Sequence, residues 1–410
     1  MAAHPHAHPV PGAADVTLPP RHPFARALWP AAAVGVLALA AVFFLAGGDP
    51  GRAWAGYLVA FLYFLSLALG GLFFVLVLHA TRAGWGVVVR RLAEHLAATL
   101  PVFALLFVPL VFAAPELFSW FSAETVAADP LLAAKAPYLD PTFFWLRAVF
   151  YLVVWAVLGW WFRRASLAQD VSADPAATRR LQMVAAPALL LYAVTQTFAA
   201  FDWIMALVPH WYSTIFGVYF FAGSAVGVFS VLALAGMALE RPAAGGRGPL
   251  AGLITLEHYH DLGKLLFAFV VFWAYIAFSQ FMLIWYGNIP EETLWFAHRW
   301  HHGWKAVSVA LAVGHFVLPF FFLLLRVVKR RRPLLAAAAA WMLAVHWLDL
   351  YWLVVPAVSP EHAAPRLTDL LAFVGVGAVW LAAWAALVAG RAMVPVGDPR
   401  LPESLSFENM

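Results

Sequence analysis

Apolar residues run along this chain in long, nearly unbroken stretches, not in the alternations that mark a half-buried strand or the one-faced stripe of a soluble helix. A helix needs about 20 apolar residues to cross a bilayer. About ten stretches meet that length, near 27–47, 53–80, 87–113, 142–163, 181–201, 211–239, 262–286, 295–328, 334–356 and 367–391. The pattern predicts an all-α integral membrane protein, with a single membrane domain over 27–391. Residues 1–26 are rich in His, Pro and Ala, lack the charged and apolar order of a signal peptide, and read as a disordered tail. Residues 392–410 read as a second tail. The histidines of the first (His4, His6, His8, His22) are expected to bind metal only adventitiously.

Composition removes the soluble alternatives: 64% of the residues are hydrophobic and 11% charged, with a mean hydropathy of +0.83. The formal net charge of +4 implies no nucleic-acid partner, because the basic residues are sorted by membrane side and form no patch. Arg82, Arg90, Arg91, Arg163, Arg164, Arg179, Arg180, Arg241, Arg247, Lys329, Arg330, Arg331 and Arg332 fall on one side. Arg52, Lys135, Arg147, Arg299, Lys305 and Arg366 fall on the other. The positive-inside rule then puts both termini on the cytoplasmic side of the membrane. The chain has no cysteine, so it cannot hold an iron–sulfur cluster by thiolates, attach a c-type haem or form a disulfide. Any such cofactor belongs to a partner subunit.

Between the stretches, the outer segment 115–141 is long, acidic and interrupted by prolines, and is expected to cap the outer face or meet a partner. The small-residue stretch 243–248 reads as a flexible connection between the first six spans and the last four. Trp and Tyr crowd the expected interfaces, where amphipathic rings prefer the headgroup level.

Ionisable residues kept inside or at the mouths of such helices are costly, and usually line an ion or substrate path. Glu257, His258, His260, Asp261 and Lys264 open the seventh stretch on the inner side, where Glu94, His95 and His79 could extend them. A helix dipole explains one acid there but not the alternation of acids and histidines. Asp202, His210, His298, Arg299, His301, His302 and Lys305 gather on the outer side, with His315, His346 and Asp349 at intermediate depth. In the eighth stretch, 295–328, His298, His301, His302 and Lys305 share one broad helical face, and mutual repulsion is expected to keep some imidazoles neutral; headgroup anchoring or docking on an acidic partner explains them equally well. His346 and Asp349 are three apart on one helical face and are expected to hydrogen-bond, fixing the imidazole tautomer for proton transfer. A polar pair that only fixes helix packing is the plain alternative. Metal chemistry is not expected. His301 or His302 with His315 is half of a di-haem b pattern, and no further stretch completes a copper set.

Four strings together carry a resemblance: 201–221 (Phe201-Asp202-Trp203 through Pro209-His210-Trp211-Tyr212 to Phe221), 257–267 (Glu257-His258-Tyr259-His260-Asp261-Leu262-Gly263-Lys264), 284–292 and 346–352. They resemble the ActF-type membrane subunits of bacterial alternative complex III, within the polysulfide-reductase (NrfD-like) membrane-subunit family. The likeness is strongest over 195–356. It implies two four-helix bundles, spans 2–5 and 6–9, with a flanking helix at each end. It also implies a quinol:electron acceptor oxidoreductase complex in a respiratory or photosynthetic chain, oxidising menaquinol or ubiquinol. The partners implied are an ActC-like membrane subunit, which is the stronger candidate for the quinol site, an iron–sulfur subunit and c-type cytochromes on the outer face, and in some cases a terminal oxidase. This chain would then support quinol oxidation and give protons a route, through Asp202, His210, Glu257, His258, His260, Asp261, Lys264, His346 and Asp349. A structural anchor for peripheral electron-transfer subunits is the first rival, and a secondary transporter the second, although Pro187, Pro319 and Pro356 lack the matched halves of a transporter. The inward orientation is checked by fusing green fluorescent protein after Met410: cells should fluoresce, and a dark, alkaline-phosphatase-active C-terminus would reverse the assignment.

Overall fold

The computed structural model describes residues 10–243 and 246–409, and it is α-helical with no strand among them. Ten helices are long and apolar enough to cross a membrane: Leu28–Leu45, Pro50–Ala80, Val87–Leu117, Pro141–Ser172, Pro175–Leu207, Phe216–Glu240, Leu256–Gly287, Trp304–Leu324, Arg332–Ala357 and Leu367–Val388. They are the first to tenth spans below. Their even number, with Thr17 paired to Ala392, puts the two ends of the described chain on one side, called here the terminal side.

The second to fifth spans pack as one four-helix group and the sixth to ninth as another, while the first and tenth pair with each other and the tenth lies against the second. The second span is therefore the hub. Nearly all of it is buried, and it touches the third, fifth, sixth, ninth and tenth. Small residues permit its closest crossing. A methyl group on Gly70 would stand 2.6 Å from the Ser224 carbonyl oxygen and 2.7 Å from Val228 Cβ of the sixth span, so only glycine admits that approach.

Two expectations change at the ends of the chain. Within the tail expected to be disordered, Val16 and Leu18 are buried, Thr17 pairs with Ala392, and Pro23–Arg26 forms a short helix capped by His22. His4, His6 and His8 lie outside the described residues. The second tail folds back over the terminal side, burying Met393, Val394, Leu401 and Leu405. Both segments carry apolar residues that a short loop-like composition conceals, and each supplies the other's partner. Of the connection 243–248, two residues lie outside the described ones, and Ala243 pairs with Gly246.

The outer segment caps its own protein. Trp120 Nε1 donates to the Ala206 carbonyl at 3.1 Å, Lys135 Nζ to the Pro209 carbonyl at 2.5 Å, and Tyr138 to Asp202 at 2.8 Å. On the same side Arg52 and Asp369 form a buried ion pair at 2.6 Å between the second and tenth spans, with Tyr351 accepting from the guanidinium at 2.9 Å. Asp369→Ala should cost about 3–5 kcal/mol by leaving the guanidinium buried and unpaired. A thermal-melting comparison in detergent checks this, and an unshifted midpoint would remove the pair from the stability of the fold.

Candidate functional site

The three residues expected at intermediate depth meet in the second bundle. His315 from the eighth span and His346 and Asp349 from the ninth are buried, and each offers a ligand atom within 4.8 Å of the others. A π-helical stretch, Ala312–Val317, carries His315. Such a widened turn shifts the side chains around it and recurs at functional positions. Here the imidazole lies stacked on Trp273 of the seventh span, with ring centroids 3.7 Å apart.

His346 and Asp349 do not hydrogen-bond to each other, contrary to the sequence expectation. Each is held from a different span. The Ser66 hydroxyl donates to the Tyr63 carbonyl at 2.7 Å, and its oxygen lies 2.8 Å from His346 Nε2. With the hydroxyl hydrogen committed, the imidazole must donate from Nε2. That assigns the tautomer and leaves a lone pair on Nδ1, an atom with no hydrogen-bond partner among the described residues. Asp349 accepts from the Tyr219 hydroxyl at 2.5 Å and from Trp273 Nε1 at 3.1 Å. Neither nitrogen of His315 has a hydrogen-bond partner among the described residues.

Room for the imidazole comes from the sixth span. A methyl group at Gly223 would stand 2.9 Å from His346 Cε1 and 3.1 Å from Nδ1. Buried polar atoms without partners are rare enough that each calls for an explanation. Here two imidazoles with three unpartnered nitrogens between them stand beside one carboxylate, an arrangement able to take up and pass on a proton. Two imidazoles and a carboxylate are also a donor set a divalent cation could use, a grouping the sequence, read span by span, did not offer.

The other expected residues are placed differently. Asp202 is fully engaged: Arg147 Nε and Nη2 reach its two oxygens at 2.8 and 2.9 Å, and Tyr138 and Tyr151 donate to it at 2.8 and 2.9 Å. His210 is exposed and pairs with Asp129 at 2.6 Å, not with Asp202. That hydrogen bond, with the amides of Leu132 and Leu131, holds the Asp129 carboxyl below the usual carboxylate range.

On the terminal side Glu257 pairs with Arg330 at 2.6 Å, and Asp261 with Lys264 at 2.5 Å. Asn409 bridges the two acids at 3.2 and 2.9 Å. His258 accepts from the Thr255 amide at 3.1 Å and closes a capping box. His260 Nδ1 has no hydrogen-bond partner among the described residues. Glu94 does not join this group. It pairs with Arg90 and Arg91, both at 2.9 Å, and Asp398 and Asp170 complete that network at 2.7 and 2.8 Å. His95 accepts from Arg163 Nε at 3.0 Å.

The face expected for His298, His301, His302 and Lys305 is not formed, because 295–328 is not one helix. A short helix, Pro290–His298, ends before Arg299, and the eighth span begins at Trp304. His302 and Gly303 between them have φ of 48° and 89°, left-handed values that stop a helix. The break is held by Arg299, whose guanidinium donates to the carbonyls of Trp295, Trp352 and Leu353 at 2.9, 3.1 and 2.9 Å.

Ser66, Tyr219 and Trp273 hold the central site and were not read from the sequence. Each is a common membrane-helix residue whose role comes only from the neighbouring span. No model of a known protein family matches the chain, and no curated protein does. Ser66→Ala should lower stability by about 1–3 kcal/mol by stranding the His346 Nε2 hydrogen, whereas Ser66→Thr should retain it. Thermal unfolding of the two variants side by side measures the difference, and equal midpoints would remove the Ser66–His346 hydrogen bond from the stability of the fold.

Proposed function

We propose that this integral membrane protein is a subunit of a quinol:electron acceptor oxidoreductase of the alternative-complex-III kind. In this reading it supports quinol oxidation and gives protons a route through its second helix bundle. Quinol oxidation releases two protons with each electron pair, so protonatable groups at depth are a chemical requirement. The observation that carries the reading is the buried group of His315, His346 and Asp349, with three imidazole nitrogens left without partners beside a carboxylate. The resemblance of the strings around Asp202, Glu257 and His346 to ActF-type subunits supplies the redox context. Iron–sulfur clusters and c-type haem would sit on partner subunits, consistent with a chain that has no cysteine, and the quinone, menaquinone or ubiquinone, would bind mainly at an ActC-like sister subunit.

One observation favours a second reading, that of a structural anchor for peripheral electron-transfer subunits. Asp202 and Glu257 are each saturated by arginine and neighbouring donors, the arrangement expected of groups that fix helix packing. The experiment is extraction of the tagged chain from native membranes in mild detergent, with its companions identified by mass spectrometry and haem staining, repeated for Asp349→Asn. Companions with c-haem and iron–sulfur motifs, and an Asp349→Asn complex that assembles but loses at least tenfold in quinol turnover or proton release, are expected. Unchanged turnover would leave the anchor reading, and a chain that emerges alone would remove the redox reading altogether.

A further inference from the structure

A groove of about 900 Å³ lies between the seventh and eighth spans and opens to the lipid, where Tyr275, Phe278 and Phe281 are exposed. Its wall runs from Val271 to Phe281 on one helix and from Ser308 to Val317 on the other. At 1.5 Å per residue each wall is roughly 15 Å long. The eighth span begins at Trp304, so the groove starts about one turn inside the face opposite the termini and runs to mid-membrane. That is the hydrocarbon depth of one leaflet, about half of 30 Å.

Arg299 closes the interfacial end. It lines the groove and is 2% exposed, with its guanidinium carbon 3.4 Å from the Trp295 ring centroid and 5.1 Å from that of Trp352. Among the described residues its acceptors are three main-chain carbonyls and no carboxylate. A guanidinium has five N–H donors, so two remain. Every other well-buried arginine described above has an Asp, a Glu or, for Arg163, a histidine as partner. Burial without a counter-ion pushes the Arg299 pKa down, and a buried charge left unpaired costs several kcal/mol. The rim adds one further positive charge, that of exposed Lys305, over the Trp300 ring at 5.3 Å.

We propose that this groove binds one anionic glycerophospholipid from the leaflet opposite the termini, its phosphate on Arg299 and an acyl chain along Trp273, Phe278 and Ala312. A leaflet-deep apolar trough ending in an unpaired cation fits a molecule with an acyl chain and a net negative head. An uncharged quinone would fill the trough and leave the charge unanswered. The headgroup of a zwitterionic lipid brings its own cation to a site that already has one.

The test delipidates the detergent-purified chain, with its companions if it has any. Native mass spectrometry and thermal unfolding then follow titration with phosphatidylglycerol, phosphatidylcholine, ubiquinone or inorganic phosphate. Phosphatidylglycerol should bind at one per chain, at least tenfold more tightly than phosphatidylcholine, and should raise the melting midpoint. Arg299→Gln should abolish that preference. Because Arg299 also holds the break before the eighth span, Ala277→Trp is the second variant: it fills the groove, keeps the arginine, and should lose the lipid while remaining folded. Equal binding of the two phospholipids, an equal midpoint rise with inorganic phosphate alone, or retention of ubiquinone in place of phosphatidylglycerol would each overturn the proposal.

Discussion

The centre of this molecule depends on one close crossing, that of the second span over the sixth. At Gly70 the two backbones approach so closely that a methyl group would meet a carbonyl oxygen at 2.6 Å. In lipid there is little hydrophobic force between helices, so such contact relies on dispersion and on small residues that let backbones touch. Ser66 is one turn away along the second span, and the crossing places its hydroxyl where it can hold His346. Gly223 and Gly227 on the sixth span leave the space the imidazole occupies. A larger residue at Gly70, Gly223 or Gly227 would separate the helices and release the histidine. The tautomer of a group on the ninth span is thus set by packing between two others.

Charge in this chain falls into two classes, and the difference is instructive. Asp202, Glu94, Asp369 and Glu257 each have an arginine within 2.9 Å. The Asp202, Asp369 and Glu257 pairs tie together elements far apart in sequence, and direct contact with an opposite charge is how a membrane interior tolerates ions. The central histidines and Arg299 are outside that scheme. Their polar atoms are as deeply buried, yet among the described residues no carboxylate pairs with Arg299, and the histidines stand beside Asp349 without a hydrogen bond to it. Burial alone does not separate the classes; pairing does, and only the second class has bonding capacity left for something that arrives.

The ten spans were legible because hydropathy summed over about 20 residues is insensitive to tertiary detail. The division into two bundles with two outer helices also held, with the added finding that those outer helices pair with each other. What failed was local. The break at 299–303 was hidden inside an apolar run, because its cause, a guanidinium collecting carbonyls from the end of another span, is not written in the run itself. The tails read as loose because their apolar residues are few, yet Val16 and Met393 bury each other's neighbours through one backbone pairing. Helical spacing put His346 and Asp349 on one face correctly and could not say that Ser66 and Tyr219 would claim them first. His315 reached them through a π-helical turn, which shifts its face away from the one that ideal helical spacing assigns.

Trp273 and Tyr219 connect the two unpaired sites. Both line the lipid-facing groove, and both donate to Asp349 from its other side. Trp273 also carries His315 on its face, so a single rotation of that indole would break the stack and uncover the carboxylate together. Stacking contributes about 0.5–1.5 kcal/mol and a hydrogen bond to a charged group about 1.5–3 kcal/mol. Their sum is a few kcal/mol, within reach of a ligand that favours one position of the ring, whereas the fully paired Asp202 would demand the loss of four hydrogen bonds at once. Whatever fills the groove therefore bears on the central carboxylate more directly than on any other acid in the molecule.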